Sequence, residues 1–118
     1  MKPPILAALF ALVPLTAIAD IPQITLVNAL QSNGTWRFDV TVLHADEGWD
    51  HYADGWGIYS LDGTAIAYRI LTYPHVNARP FTRSLSGVVL PEGTTTIILR
   101  PHDLVHGDGP DFVLSLEQ

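Results

Sequence analysis

The residues of this 118-residue chain best suited to chemistry are its five histidines, and all of them fall in three short stretches. HADEGWDHYADGW, residues 44–56, carries His44 and His51 together with four carboxylates, a tyrosine and two tryptophans. His75 lies between Tyr73 and Pro80, and His102 and His106 lie between residues 102 and 111. Neutral imidazole is the commonest protein ligand for a metal ion. Three or four such nitrogens with one carboxylate suit Zn(II) or Cu(II). The ligand set expected from this pattern is His44, His51, His75 and His106. Asp50 and Asp103 are expected either as further ligands or as acceptors that fix the imidazole tautomers.

Other chemistries find less support. The chain has no cysteine, which removes thiolate catalysis, iron–sulfur clusters and cysteine-ligated copper. Its single methionine is Met1, so thioether ligation of Cu(I) is not expected. Ser84 and Ser86 sit in a strand-like run without a nucleophile elbow or a placed histidine base. A small sandwich also offers little concave volume for a substrate. The balance is against an enzyme, although a metal with an open position would support redox or hydrolytic chemistry.

The elements that must position these residues are strands. Apolar residues alternate along the chain, with Trp36, Phe38, Val40 and Val42 on one side and Arg37, Asp39 and Thr41 on the other. Strand-like runs cover residues 24–30, 36–42, 55–61, 64–72, 81–90, 95–101 and 112–116. Turn signals separate them, including Ser32-Asn33-Gly34, Asp62-Gly63 and Pro91-Glu92-Gly93. Gly87 interrupts the alternation and reads as a bulge. Some seven short strands without a helix predict an immunoglobulin-like antiparallel β-sandwich.

The start of the chain, MKPPILAALFALVPLTAIAD, has the pattern of an export signal: Lys2, an apolar run from Ile5, and Ala17-Ile18-Ala19 as a cleavage site. The run is shorter than the ~20 residues a membrane span needs. The expected organisation is therefore a cleavable signal peptide over residues 1–19 and one domain over 20–118, periplasmic or secreted and free of the membrane after signal removal. With no cysteine, a lipid attached through that residue is not expected. Losing Lys2 leaves five arginines against twelve acids, a balance that argues against nucleic acid and anionic membrane partners.

The stretch LPEGTTTIILRPHDLVHGDGPDFVLSL resembles the end of bacterial immunoglobulin-like or fibronectin-type modules. Those modules run from a Pro-x-Gly turn through a strand closing on Asp, then a Gly-containing hairpin into the last strand. GWDHYADGW, PHVNARPFTRSL and VHGDG are together similar to small exported bacterial proteins of uncharacterised role. The resemblance implies a fold and no activity.

Strand alternation puts successive loops at opposite poles of a sandwich. Residues 44–54, 73–80 and 102–111 are thus expected to share one pole, with every histidine and seven of the twelve acids. Parity places His44 inward after Val42, Asp103 inward after Leu99 and Pro101, and His102 outward. Two readings follow. In one, the pole holds a divalent ion. In the other, the histidines are neutral hydrogen-bond partners, Asp103 orders the hairpin that follows it, and the pole is a non-catalytic protein- or glycan-binding surface with Trp49, Tyr52, Tyr73 and Arg79 as anchors. No histidine pair has a tight zinc spacing, so the sequence leaves both standing.

Overall fold

The computed structural model describes residues 7–12, 21–76 and 79–116, and among them there is no helix. The strands are β1 (Ala7–Leu12), β2 (Gln23–Ser32), β3 (Thr35–Leu43), β4 (Ala53–Tyr59), β5 (Ala65–Ile70), β6 (Phe81–Val88), β7 (Thr96–Asp103), β8 (Gly107–Asp108) and β9 (Phe112–Ser115). One sheet has the order β1-β2-β3-β6, and the other β5-β4-β7-β8 with β9 also paired to β7. All pairings are antiparallel. The fold is an all-β sandwich.

Period-two alternation builds the core. Val27 and Ala29 of β2 and Trp36, Phe38, Val40 and Val42 of β3 are buried in one sheet; Trp56 and Ile58 of β4, Ile97 and Leu99 of β7, and Phe112 and Leu114 of β9 come from the other. Each large side chain removed from water contributes about 1.5–3 kcal/mol against the entropy of ordering the chain. The β2–β3 hairpin closes on Asn33 (φ 53°) and Gly34 (φ 81°), the two left-handed residues a tight hairpin turn requires. Gly87, at φ 70°, accompanies a register shift between β3 and β6, so the interrupted alternation is a bulge. Gly55 of β4 lies beneath the Tyr68 ring, and a Cβ there would collide with it.

The expected signal cleavage site, Ala17-Ile18-Ala19, lies outside the described residues. Part of the apolar run before it, Ala7–Leu12, is a strand paired with β2 from Ala7↔Gln31 to Leu12↔Leu26. An extended apolar segment can satisfy the backbone groups that an edge strand presents.

The three histidine-bearing loops meet at one pole. Leu71 N–H donates to Asp54 O at 2.9 Å, Leu104 N–H to Tyr52 O at 3.3 Å, and His75 N–H to Asp46 Oδ2 at 2.5 Å.

Candidate metal centre

Two strand ends deliver the buried half of the site. β3 runs inward through Val40 and Val42, and the parity continues to His44 and Asp46 after the strand stops. β7 runs inward through Ile97, Leu99 and Pro101 to Asp103. His44, Asp46 and Asp103 are buried in a protein whose other deeply buried side chains are mainly apolar. Buried charge persists where it is paired and hydrogen-bonded.

Asp103 is the focus. Its Oδ2 lies 2.9 Å from His44 Nε2, 3.2 Å from His51 Nε2 and 3.0 Å from His106 Nδ1. Its Oδ1 accepts the backbone N–H groups of Val105 (3.0 Å) and His106, which shapes the turn after β7. Burial alone would push the Asp103 carboxyl up; the His106 backbone and the three imidazoles reverse that and hold it well below the usual carboxylate range.

Two of the imidazoles are held from behind by carboxylates. His44 Nδ1 is 2.5 Å from Asp46 Oδ1, and His51 Nδ1 is 2.9 Å from Glu47 Oε1. Asp46 also takes the Ala53 N–H at 3.1 Å on Oδ1 and the His75 N–H on Oδ2, while its carbonyl accepts from Arg79 at 3.1 Å. Glu47 and His51 are brought together by a tight turn at Gly48 (φ 123°), with Glu47 N–H donating to His51 O at 2.8 Å. Burial works against a charged His51 ring, but the bonds to Glu47 and Asp103 outweigh it and raise its pKa.

The proton count is the informative quantity. His44, His51 and His106 make five nitrogen–carboxylate contacts through these atoms. A neutral imidazole has one N–H, so three neutral rings supply three protons for five contacts. Two nitrogen lone pairs would then face carboxylate oxygens. Two extra protons or one divalent cation would remove that repulsion.

The separations suit an ion. Ligand atoms of His44, His51 and Asp103 lie within 4.8 Å of one another. Bonds of about 2.0–2.1 Å in a tetrahedron require ligand atoms about 3.3–3.4 Å apart, and the three nitrogen–oxygen edges, at 2.9, 3.2 and 3.0 Å, lie slightly below that value. The ring centroids of His44 and His51 are 4.9 Å apart, and those of His51 and His106 5.2 Å.

Among the residues singled out from sequence, His44, His51 and Asp103 are thus brought within range of one another, and His106 joins them through its contact with Asp103 Oδ2. His75 is set apart: its Nε2 accepts from Arg83 at 2.8 Å, and its ring stacks on Phe81 at 3.8 Å. Burial and the Arg83 charge lower its pKa, which keeps it neutral. It joins the network through Asp46, by its backbone N–H and by Nδ1 at 3.8 Å. Asp50 is exposed on the loop. His102 points outward and pairs with Asp54 at 2.6 Å. Asp46 and Glu47 were not singled out from sequence. The parity that located His44 reaches Asp46 two residues later and would have found it.

No family model and no solved structure matches the chain. A protein of Halomicrobium mukohataei named "Putative lipoprotein" is 41% identical to it over 97 residues, covering 80% of this chain and 47% of that protein. The chain therefore spans about half the length of the curated relative it matches.

Proposed function

We propose that the protein binds one divalent metal ion through His44 Nε2, His51 Nε2, His106 Nδ1 and Asp103 Oδ2. The observation that carries this reading is the single buried carboxylate oxygen faced by three imidazole nitrogens. Asp46 and Glu47 would hold His44 and His51 by their remaining N–H groups, the usual support for a ligating histidine. Three nitrogens and one oxygen complete the tetrahedral set that Zn(II) takes in closed sites. Cu(II) accepts the same donors but prefers a tetragonal arrangement. With four protein ligands, the ion would clip two loops to the end of β7, a staple for a domain without disulfides.

The sequence pattern of residues 1–19 and the name of the relative both support an exported protein, with residues 20–118 as an immunoglobulin-like domain in the periplasm or outside the cell. A second reading makes the same pole a non-catalytic protein- or glycan-binding surface; the large exposure of Trp49 (67%) and Val105 (60%) favours it.

Calorimetric titration of the metal-free protein with Zn(II), and separately Cu(II), tests the first reading. One ion per chain is expected, with binding abolished in His44→Ala. Heats no larger than dilution for both metals would sink it and leave the second reading.

A further inference from the structure

The four proposed ligands are not held alike. The side chains of His44 and Asp103 are 0% exposed and that of His51 12%, whereas His106 is 36% exposed. His44 and His51 are each gripped on the second nitrogen by a carboxylate. His106 offers Nδ1 to the site, and its Nε2 has no hydrogen-bond partner among the described residues. Its backbone sits on an exposed turn, Leu104–His106, followed by Gly107 at φ 79° and the two-residue strand β8.

We propose that the ion is exchangeable cargo, handed to an acceptor by ligand substitution at His106. This rests on the metal reading above and adds to it a direction and a first step. In that step a nitrogen or oxygen donor of the acceptor forms a bond to the ion while the bond from the ion to His106 Nδ1 breaks. His106 leaves as neutral imidazole, the ion stays divalent, and no electron is transferred. His51, His44 and Asp103 then give way in turn. When the His106 ring swings outward it gives up only its own contact with Asp103 Oδ2, because the backbone N–H groups of Val105 and His106 still hold Asp103 Oδ1. Leu104 and Val105 place exposed apolar surface on the same turn, where an acceptor must approach. A purely structural ion would be better served by a fourth ligand as enclosed as the other three.

The test is zinc release from the loaded full-length chain to 4-(2-pyridylazo)resorcinol, a nitrogen- and oxygen-donating chelator, followed by absorbance. Release from the wild type is expected to rise in proportion to chelator concentration. In His106→Ala the second-order constant should increase about tenfold or more, since weakened ligation shows mainly in the off-rate. Circular dichroism confirms that the variant is folded. Release independent of chelator concentration would overturn the proposal, because the ion would then leave by unassisted opening. So would an unchanged constant in His106→Ala, or failure of that variant to load zinc at all. A wild type that never loads zinc is a different failure, which falls on the metal reading itself.

Discussion

The two poles of the sandwich solve the same topological problem with different chemistry. At the pole of Asn33-Gly34, Asp62-Gly63 and Pro91–Gly93, each turn closes on itself. Ser60 N–H donates to Thr64 O, Thr94 N–H to Pro91 O, and Asp62 accepts from Ser60 and Thr64 of its own hairpin. At the histidine pole the loops bond to each other across long stretches of chain, from Asp46 to His75 and from His44 and His51 to Asp103. Local turns need only the right backbone residues. The histidine pole instead collects buried charge, which costs desolvation unless the whole network is satisfied. That expense is not required to reverse a strand, and it is the physical reason for assigning function to this pole and not to the other.

The comparison breaks most directly at Asp103. Replacing Asp103 by Ala removes the acceptor of three imidazoles and two backbone amides. It is expected to cost about 3–5 kcal/mol in urea denaturation of the metal-free protein, the usual range for breaking a buried pair, and to abolish metal binding. If Asp103→Ala were no more costly than Asp62→Ala at the opposite pole, the buried network would be incidental to the fold.

Metal addition sharpens the contrast next. Zinc at about a hundred times its dissociation constant should stabilise the native state by about 2.7 kcal/mol. For a domain near this size that is a rise of about 10 °C or more in melting temperature. EDTA should reverse it, and His44→Ala should show none. A rise of equal size in His44→Ala would mean that the ion binds elsewhere.

Asp46→Asn tests support and not ligation. The amide can still accept a hydrogen bond but no longer compensates a charged or metal-bound His44, so affinity for zinc should fall by about 10–100-fold while one ion still binds. This residue also shows how far the sequence could be read. Strand alternation placed His44 and Asp103 inward and His102 outward, and the turn signals put all three loops at one pole. It did not separate His75 from the proposed ligands, because its orientation depends on Phe81 and Arg83, six and eight residues beyond it and across a loop. Nor did it reveal Glu47, whose role depends on the turn at Gly48 and not on any strand period. The pairing of Ala7–Leu12 with β2 was equally hidden, since a leader's apolar run and an edge strand look the same by composition.

Proton competition gives a smaller, graded effect. His51 has a raised pKa in the metal-free protein, so its contribution to stability is fully present below the ordinary value of 6.5 and is lost as pH rises through the raised value. Metal requires the ring without that proton, so zinc stabilisation must grow as pH increases. The melting-temperature gap between zinc-loaded and metal-free protein is therefore expected to widen from about pH 6 to about pH 8. A gap that stayed constant would exclude His51 as a ligand.

The smallest effect belongs to the other pole. Asp62 is fully exposed, yet the Ser60 hydroxyl and the Thr64 N–H and hydroxyl hold its pKa down to about 2. A depressed carboxyl contributes stability above its unfolded value of 3.8 and loses it as pH falls through the folded one. Asp62→Asn should lower the melting temperature by no more than about 2–4 °C at neutral pH, as expected of a surface turn. That difference should shrink between pH 3.8 and about 2, and zinc should leave it unchanged throughout. Were Asp62→Asn to alter zinc affinity, the poles would be coupled through the core, and the division of labour between them would fail.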